Sequence, residues 1–210
     1  MAPYGQFCAL ARALDHIGKR WALLIVRELL IGPKRFTDLR GGLPGVPPNL
    51  LSARLRELQE SGLVAKRDLP PPVDATVYEL TPRGRELRPT IRELVRWAGP
   101  WMAEGMGDDV FLAEWLVVAL DALGCGHALP TPVIIAVGTK ENEVTLSLGV
   151  SGVSLVSPGA IPSVTVRGDP RLILGVASGH LPVREALERL MVTPRDRKAV
   201  KLLDQALRPR

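Results

Sequence analysis

Proline and glycine punctuate the first third of this chain so closely that no long helix can run through it, and this limits the fold more than any other feature. Gly18 closes an apolar run over Cys8–Ile17, and Gly32-Pro33 stops a second run carrying Trp21, Leu24, Ile25 and Leu29 at helical spacing. A third, short run with Phe36, Leu39 and Leu43 ends at Pro44-Gly45-Val46-Pro47-Pro48, a stretch too rich in Pro and Gly for anything but a turn. The fourth run places Leu51, Leu55 and Leu58 on one face at i, i+4 and i+7, and Gly62 follows it as a C′ residue. Residues 63–67, a proline-stiffened loop at 68–75 and the β-branched run at 76–81 then read as a hairpin.

Helix, short helix, turn, amphipathic helix and basic hairpin follow one another in the order of a winged helix-turn-helix. In that arrangement one helix offers its N-terminal half to the major groove, another braces it, and the hairpin reaches the backbone or the minor groove. With the three leucines facing the core, the opposite face of the fourth helix carries Asn49, Ser52, Ala53 and Arg56. Asn matches adenine, Arg matches guanine and Ser suits a base or a phosphate, while Arg54 flanks that face within reach of phosphate. Lys34, Arg35 and Thr37 open the third helix, where N–H groups and positive charge suit a phosphate, and Lys66 and Arg67 stand where the hairpin begins to reach outward. For each residue there is a plainer alternative. Asn49 can simply cap its helix, Arg54 and Arg56 can pair with Glu57 or Glu60, and the other cations can be solvated.

Charge is distributed to match. The chain of 210 residues carries a net +5, but residues 1–103 hold 16 Lys and Arg against 10 Asp and Glu, while residues 104–210 hold 11 against 12. A basic half beside a neutral one suggests a polyanion-binding module joined to a part that handles neutral partners. Hydrophobic residues at 46% and charged residues at 23% exclude a disordered or fibrous chain. The N-terminus lacks the pattern of an export signal and no segment approaches about 20 uninterrupted apolar residues, so a cytoplasmic protein without a membrane span is expected. Cys8 and Cys125 lie far apart without CxxC or Cys/His spacing, which indicates neither a metal site nor a disulfide framework. No cofactor is expected.

Residues 81–102 read as one long helix with Thr81 as cap and Pro82 at its first position, although Pro89, Gly99 and Pro100 argue for a kink and an early end. Its apolar positions, Leu87, Ile91, Leu94, Ala98 and Trp101, need a partner, either the rest of the chain or the same helix in a second subunit. A homodimer is the expectation, reading two half-sites roughly 34 Å apart.

The stretch over about residues 8–100 resembles the HxlR-type winged-helix regulators, a branch close to the MarR group. The resemblance rests on Arg35–Leu39 (RFTDL), on the fourth helix as LSxRLxEL, and on YxLTxxG from Tyr78 to Gly84, all in order. It implies a dimeric DNA-binding transcription factor, often a repressor, with no catalysis. Members tend to carry a cysteine just ahead of the first helix, sometimes used to sense oxidants or electrophiles, and Cys8 occupies that position. From the residues alone, only His16 and scattered arginines could activate Cys8, and a lone Cys among Ala and Leu is more often a small buried hydrophobe.

The second half is α+β. After a break at Gly105–Asp109, residues 110–124 form a strongly apolar helix, four β-branched runs from Thr131 to Gly168 suggest an antiparallel sheet, and helices return at Pro170–Ala177, Val183–Leu190 and Arg197–Leu207. Two domains are therefore expected: 1–104, a winged helix-turn-helix with a dimerisation helix, and 105–210, an α+β domain with an antiparallel sheet covered by helices. The segment from Val164 to Leu207 resembles the end of a sterol-carrier-protein-type domain, although its LMVTPRDR departs from the glycine-containing step usual there. Such a domain implies a tunnel for lipids or other apolar ligands. Trp115, Leu116, Leu120, Ile135, Leu146 and Leu148 are its candidate lining, and a filled core used only for packing is the alternative. His127 and His180 sit beside glycines in loops and read as surface residues.

Taken together, the residues suggest a regulator that binds a double-stranded DNA operator and answers to an apolar small molecule or lipid in its second domain. Two alternatives stand: a regulator with a structural second domain and Cys8 as redox switch, or a lipid carrier, against which the basic first half argues. No paired carboxylates, nucleophile elbow or phosphate-cradling glycine loop points to an enzyme.

Overall fold

The computed structural model describes residues 3–104, 107–139, 142–156 and 159–210. The chain forms two compact units, Met1–Ile91 and Arg92–Arg210. Gly105, at the expected boundary, lies outside the described residues, as do Lys140 and Ser157 at the ends of two expected strand runs.

In the first unit the Pro/Gly punctuation sets the helix ends. They are α1 (Ala9–Ile17), α2 (Ala22–Ile31), α3 (Phe36–Gly41) and α4 (Pro48–Glu60), with Pro48 in the first turn of α4, where its missing N–H is harmless. Ile25, Leu39, Leu43, Leu51, Leu55 and Leu58 are fully buried and form the centre of this unit. Strands β1 (Val64–Leu69) and β2 (Ala75–Leu80) pair antiparallel from Val64↔Leu80 to Leu69↔Ala75. Lys34 adds a single rung to this hairpin: its N–H donates to the Tyr78 carbonyl at 3.0 Å and its carbonyl accepts from the Tyr78 N–H at 2.8 Å.

The expected long helix over 81–102 is instead broken into pieces. Thr81 caps as anticipated, accepting from the Gly84 N–H at 3.0 Å, but the helix it starts, α5, ends at Arg85. A second helix, α6 (Arg88–Ala98), begins with Pro89 in its first turn, and Gly99–Glu104 continue as a 3-10 turn. The cause is Pro89, which has no N–H to donate and whose ring crowds the preceding turn, so the helix restarts around it. Gly84 is required where it stands, because a Cβ there would run into the Leu63 carbonyl.

The second unit holds a five-stranded sheet in the order β5-β4-β3-β6-β7: β3 (Val133–Gly138), β4 (Glu143–Gly149), β5 (Gly152–Leu155), β6 (Val164–Arg167) and β7 (Met191–Thr193). The expectation of an antiparallel sheet needs correction, since β3 and β6 run parallel while the other three pairs are antiparallel. β6 does not fold back on β5 as a hairpin. It crosses to the other side of β3 and runs in the same direction as β3, which makes that pair parallel.

The helices here are α7 (Leu116–Ala122), α8 (Pro170–Ala177), α9 (Val183–Ala186) and α10 (Arg197–Ala206). α7 is shorter than the expected 110–124. The Asn142 side chain takes the Ala113 N–H at 3.0 Å and donates to the Phe111 carbonyl at 2.9 Å, which holds the chain before Ala113 out of a helix, and Ala113–Trp115 form a 3-10 turn that leads into α7. α9 likewise stops short of Leu190, because the chain turns there and enters β7.

Candidate nucleic-acid interface

α4 shows two faces. Leu51, Leu55 and Leu58 are buried against the unit, while Asn49, Ser52 and Arg56 are exposed along the other side and Ala53 is half-buried. The Asn49 Oδ1 accepts from the Leu50 N–H at 2.9 Å, so this side chain steadies the helix start and keeps its amide N–H₂ group for other use. The Arg56 side chain is 75% exposed, and the Glu60 carboxylate 4.0 Å away is too loosely placed to hold it.

Arg54 differs although only two positions away. Its side chain is 18% exposed, its Nε donates to the Arg20 carbonyl at 3.1 Å, and a terminal nitrogen donates to Glu57 at 2.7 Å. Glu57 also receives the Lys19 Nζ at 2.7 Å. Burial pushes the Glu57 carboxyl up, but hydrogen bonds and charge from Lys19 and Arg54 outweigh it and hold the group below its ordinary value. Arg54 thus ties α4 to the turn between α1 and α2.

Lys34 is also turned inward. Its side chain is 11% exposed and its Nζ lies 2.9 Å from Glu28, which is fully buried. Arg27 donates to the same carboxylate through Nε at 3.0 Å and a terminal nitrogen at 2.7 Å, and also to the Gly42 carbonyl at 3.0 Å. Burial lowers the Arg27 pKa, and Glu28 pulls it back upward. Gly42 leaves room for this arrangement, since a Cβ there would collide with the Glu28 carboxylate. Sequence reasoning missed Glu28 and Arg27, although a carboxylate inside the apolar run ALLIVRELLI was the available signal for a buried, paired charge.

The remaining candidates face solvent. Arg35 and Thr37 are exposed at the start of α3, and the Arg35 N–H donates to Asp38 Oδ2 at 3.1 Å. On β1, Lys66 stands over the Tyr78 ring at 5.4 Å and Arg67 donates through Nε to Glu79 at 3.1 Å. Both contacts are exposed and would yield to a phosphate at small cost.

Of the residues expected at a dimer contact, Ile91 is buried, Leu87 and Ala98 are half-buried, and Leu94 and Trp101 are exposed. Trp97, which the sequence reading passed over, meets Trp101 edge to face at 4.8 Å and is exposed. Phe7, Leu10 and Leu14 form another exposed apolar set at α1.

The expected ligand-lining residues Leu116, Leu120, Ile135, Leu146 and Leu148 are fully buried side chains of the second unit, and Trp115 is half-buried beside them in sequence. His127 and His180 are exposed. Cys8 is exposed at the N-cap of α1, whereas Cys125 is buried and its thiol is pushed up to about 12 by burial and the nearby Asp121. Among the described residues, no group of three His, Cys, Asp or Glu could hold a metal, and no helix is long and apolar enough to cross a membrane.

A family model described as HxlR-like helix-turn-helix matches residues 16–106. YvaP of Bacillus subtilis (strain 168), an uncharacterized HTH-type transcriptional regulator, is 40% identical over 92 residues, covering 43% of this chain and 84% of YvaP. The HTH-type transcriptional regulator YodB of the same organism is 33% identical over 93 residues, 44% of this chain and 83% of YodB. Among solved structures, the reduced form of YodB is 32% identical over 48% of this chain and 99% of that one, with a TM-score of 0.41. The redox regulator HypR in its oxidized form is 29% identical over 44% and 96%, with a TM-score of 0.42.

Proposed function

Because the chain belongs to the HxlR-like helix-turn-helix family, whose members here are HTH-type transcriptional regulators, we propose that it acts as a homodimeric repressor that lays α4 in the major groove of a duplex DNA operator. The observation that carries this reading is the outer stripe of α4, where Asn49, Ser52 and Arg56 stand exposed above a fully buried leucine face. In this reading Asn49 and Arg56 read bases, Ser52 takes a base or phosphate, and Arg35, Thr37, Lys66 and Arg67 neutralise backbone phosphates. Lys34 and Arg54 position α3 and α4 through Glu28 and Glu57 and act on DNA only indirectly.

A second copy would cover the exposed apolar groups at Phe7, Leu10 and Leu14 and those at Leu94, Trp97 and Trp101, which supports the homodimer. The test is anisotropy of the full chain on labelled fragments of its own upstream DNA at several salt concentrations. Specific binding that falls steeply with salt is expected, and Arg56→Ala should lose about 1–3 kcal/mol on the specific site. Binding equally tight to scrambled DNA would sink the operator reading.

For control of that binding, the second unit serves as the effector domain, in the sterol-carrier-like role that its sequence suggests. The full burial of Leu116, Leu120, Ile135, Leu146 and Leu148 means that an apolar ligand there would have to part a packed core. A second reading puts the switch at Cys8, whose exposure leaves its thiol open to oxidants. Operator binding lost on diamide treatment in the native chain and kept in Cys8→Ser would favour that reading.

A further inference from the structure

Four basic residues of the second unit gather at one place. Arg184 on α9, Arg195 in the turn after β7, and Arg197 and Lys201 on α10 line an open cleft of about 940 Å³, in a half of the chain whose net charge is −1. Two acids also line it, and both are committed: Asp196 accepts from the Ala199 N–H at 2.8 Å as the cap of α10, and Asp204 pairs with Arg208 at 2.9 Å. Arg195 donates to the Leu187 carbonyl at 3.0 Å. Arg184, Arg197 and Lys201 have no acidic partner among the described residues. Four cations against two anions leave the lining at +2, which a phosphate monoester, of charge about −2, neutralises and a carboxylate does not. Val183 and Val200 supply apolar surface in the same cleft, and a volume of this size suits a ligand larger than a bare anion.

We propose that this cleft binds a small soluble phosphate ester, with the dianionic head among Arg184, Arg197 and Lys201 and the carbon body against Val183 and Val200. Binding at this site is independent of the operator reading and stands or falls without DNA. Guanidinium forks and an ammonium around one concavity focus positive potential there, and the two valines discriminate an ester from inorganic phosphate.

Calorimetric titration of the full chain with hexyl phosphate tests it. Saturable binding that weakens with salt is expected, together with weaker binding of inorganic phosphate. The double variant Arg197→Gln/Lys201→Gln should lose about tenfold in affinity, and Lys198→Gln, on the same helix but outside the cleft, should lose nothing. All three side chains are exposed, and thermal melts verify that the variants fold; should the double variant melt early, Arg184→Gln on α9 decides in its place. The proposal is overturned by an absence of saturable binding up to about 1 mM ester, by equal affinity in the double variant, or by inorganic phosphate binding as tightly as the ester. It is equally overturned if the chain ignores the ester but binds vesicles of equal parts phosphatidylcholine and phosphatidylglycerol through Arg197 and Lys201, since the source would then be a membrane surface.

Discussion

The junction of α2 with α3 and the outer face of α4 are both basic, yet they use their charge in opposite ways. At the junction, Arg27 and Lys34 close on the fully buried Glu28, so two cations are spent inside the fold. On α4, Arg56 stands in solvent with only a loose carboxylate 4.0 Å away. A charge count treats the two regions alike. The comparison shows that some of the 16 Lys and Arg of the first half neutralise internal carboxylates and that the field available to a polyanion comes from a subset, Arg56, Arg35, Lys66 and Arg67 among them.

The largest effect that sharpens this contrast is expected for Glu28→Ala. It removes the carboxylate that Arg27 and Lys34, with side chains 19% and 11% exposed, both bind. Breaking a buried pair from one side costs about 3 kcal/mol, which a urea titration would show as a lower midpoint. Operator affinity under folding conditions should stay close to that of the native chain. Native stability with weakened DNA binding would break the comparison, because Lys34 would then belong to the interface.

Arg54→Ala comes next. It removes the tether to the Arg20 carbonyl and the bond to Glu57, at a cost of about 1 kcal/mol in stability, again read from the urea midpoint. Its effect on specific DNA binding should be smaller than that of Arg56→Ala, two positions along the same helix. The reverse order would place Arg54 on phosphate and leave Arg56 as a solvated side chain.

This division between inward and outward cations marks the limit of what the sequence makes legible. The helix starts and stops of the first unit are local chemistry, written in Gly18, Gly32-Pro33, Pro47-Pro48 and Thr81, and they can be read a few residues at a time. The outward face of α4 follows from three leucines. What Lys34 and Arg54 touch depends on Glu28 and Arg20, which tertiary packing brings to them, and no local period encodes that. The second unit repeats the lesson. Pro170 and Asp196 announce α8 and α10, whereas the parallel pairing of β6 depends on a crossover from β5 to the far side of β3, and the late start of α7 depends on Asn142 reaching back to Phe111 and Ala113. β7, with three residues, is too short to display alternation.

The smallest expected effect concerns Glu57, which lies between the two extremes of the comparison because its carboxylate is partly exposed and still paired. Lys19 and Arg54 overcome the upward push of burial and depress its folded pKa. A depressed carboxyl contributes stability above its unfolded value, about 4.3, and that contribution is lost as pH falls through the folded value. The side chain is 31% exposed and therefore screened, so the contribution is under about 1 kcal/mol. Glu57→Gln should accordingly unfold more easily than the native chain at neutral pH, and the gap should close as pH is lowered past the usual carboxylate range in parallel urea titrations. Salt should narrow the gap at neutral pH, since Lys19 and Arg54 act on Glu57 partly through charge. A gap that persists unchanged into acid would assign the stability to shape and neutral hydrogen bonding, and Arg54 would then hold α4 through the Arg20 carbonyl alone.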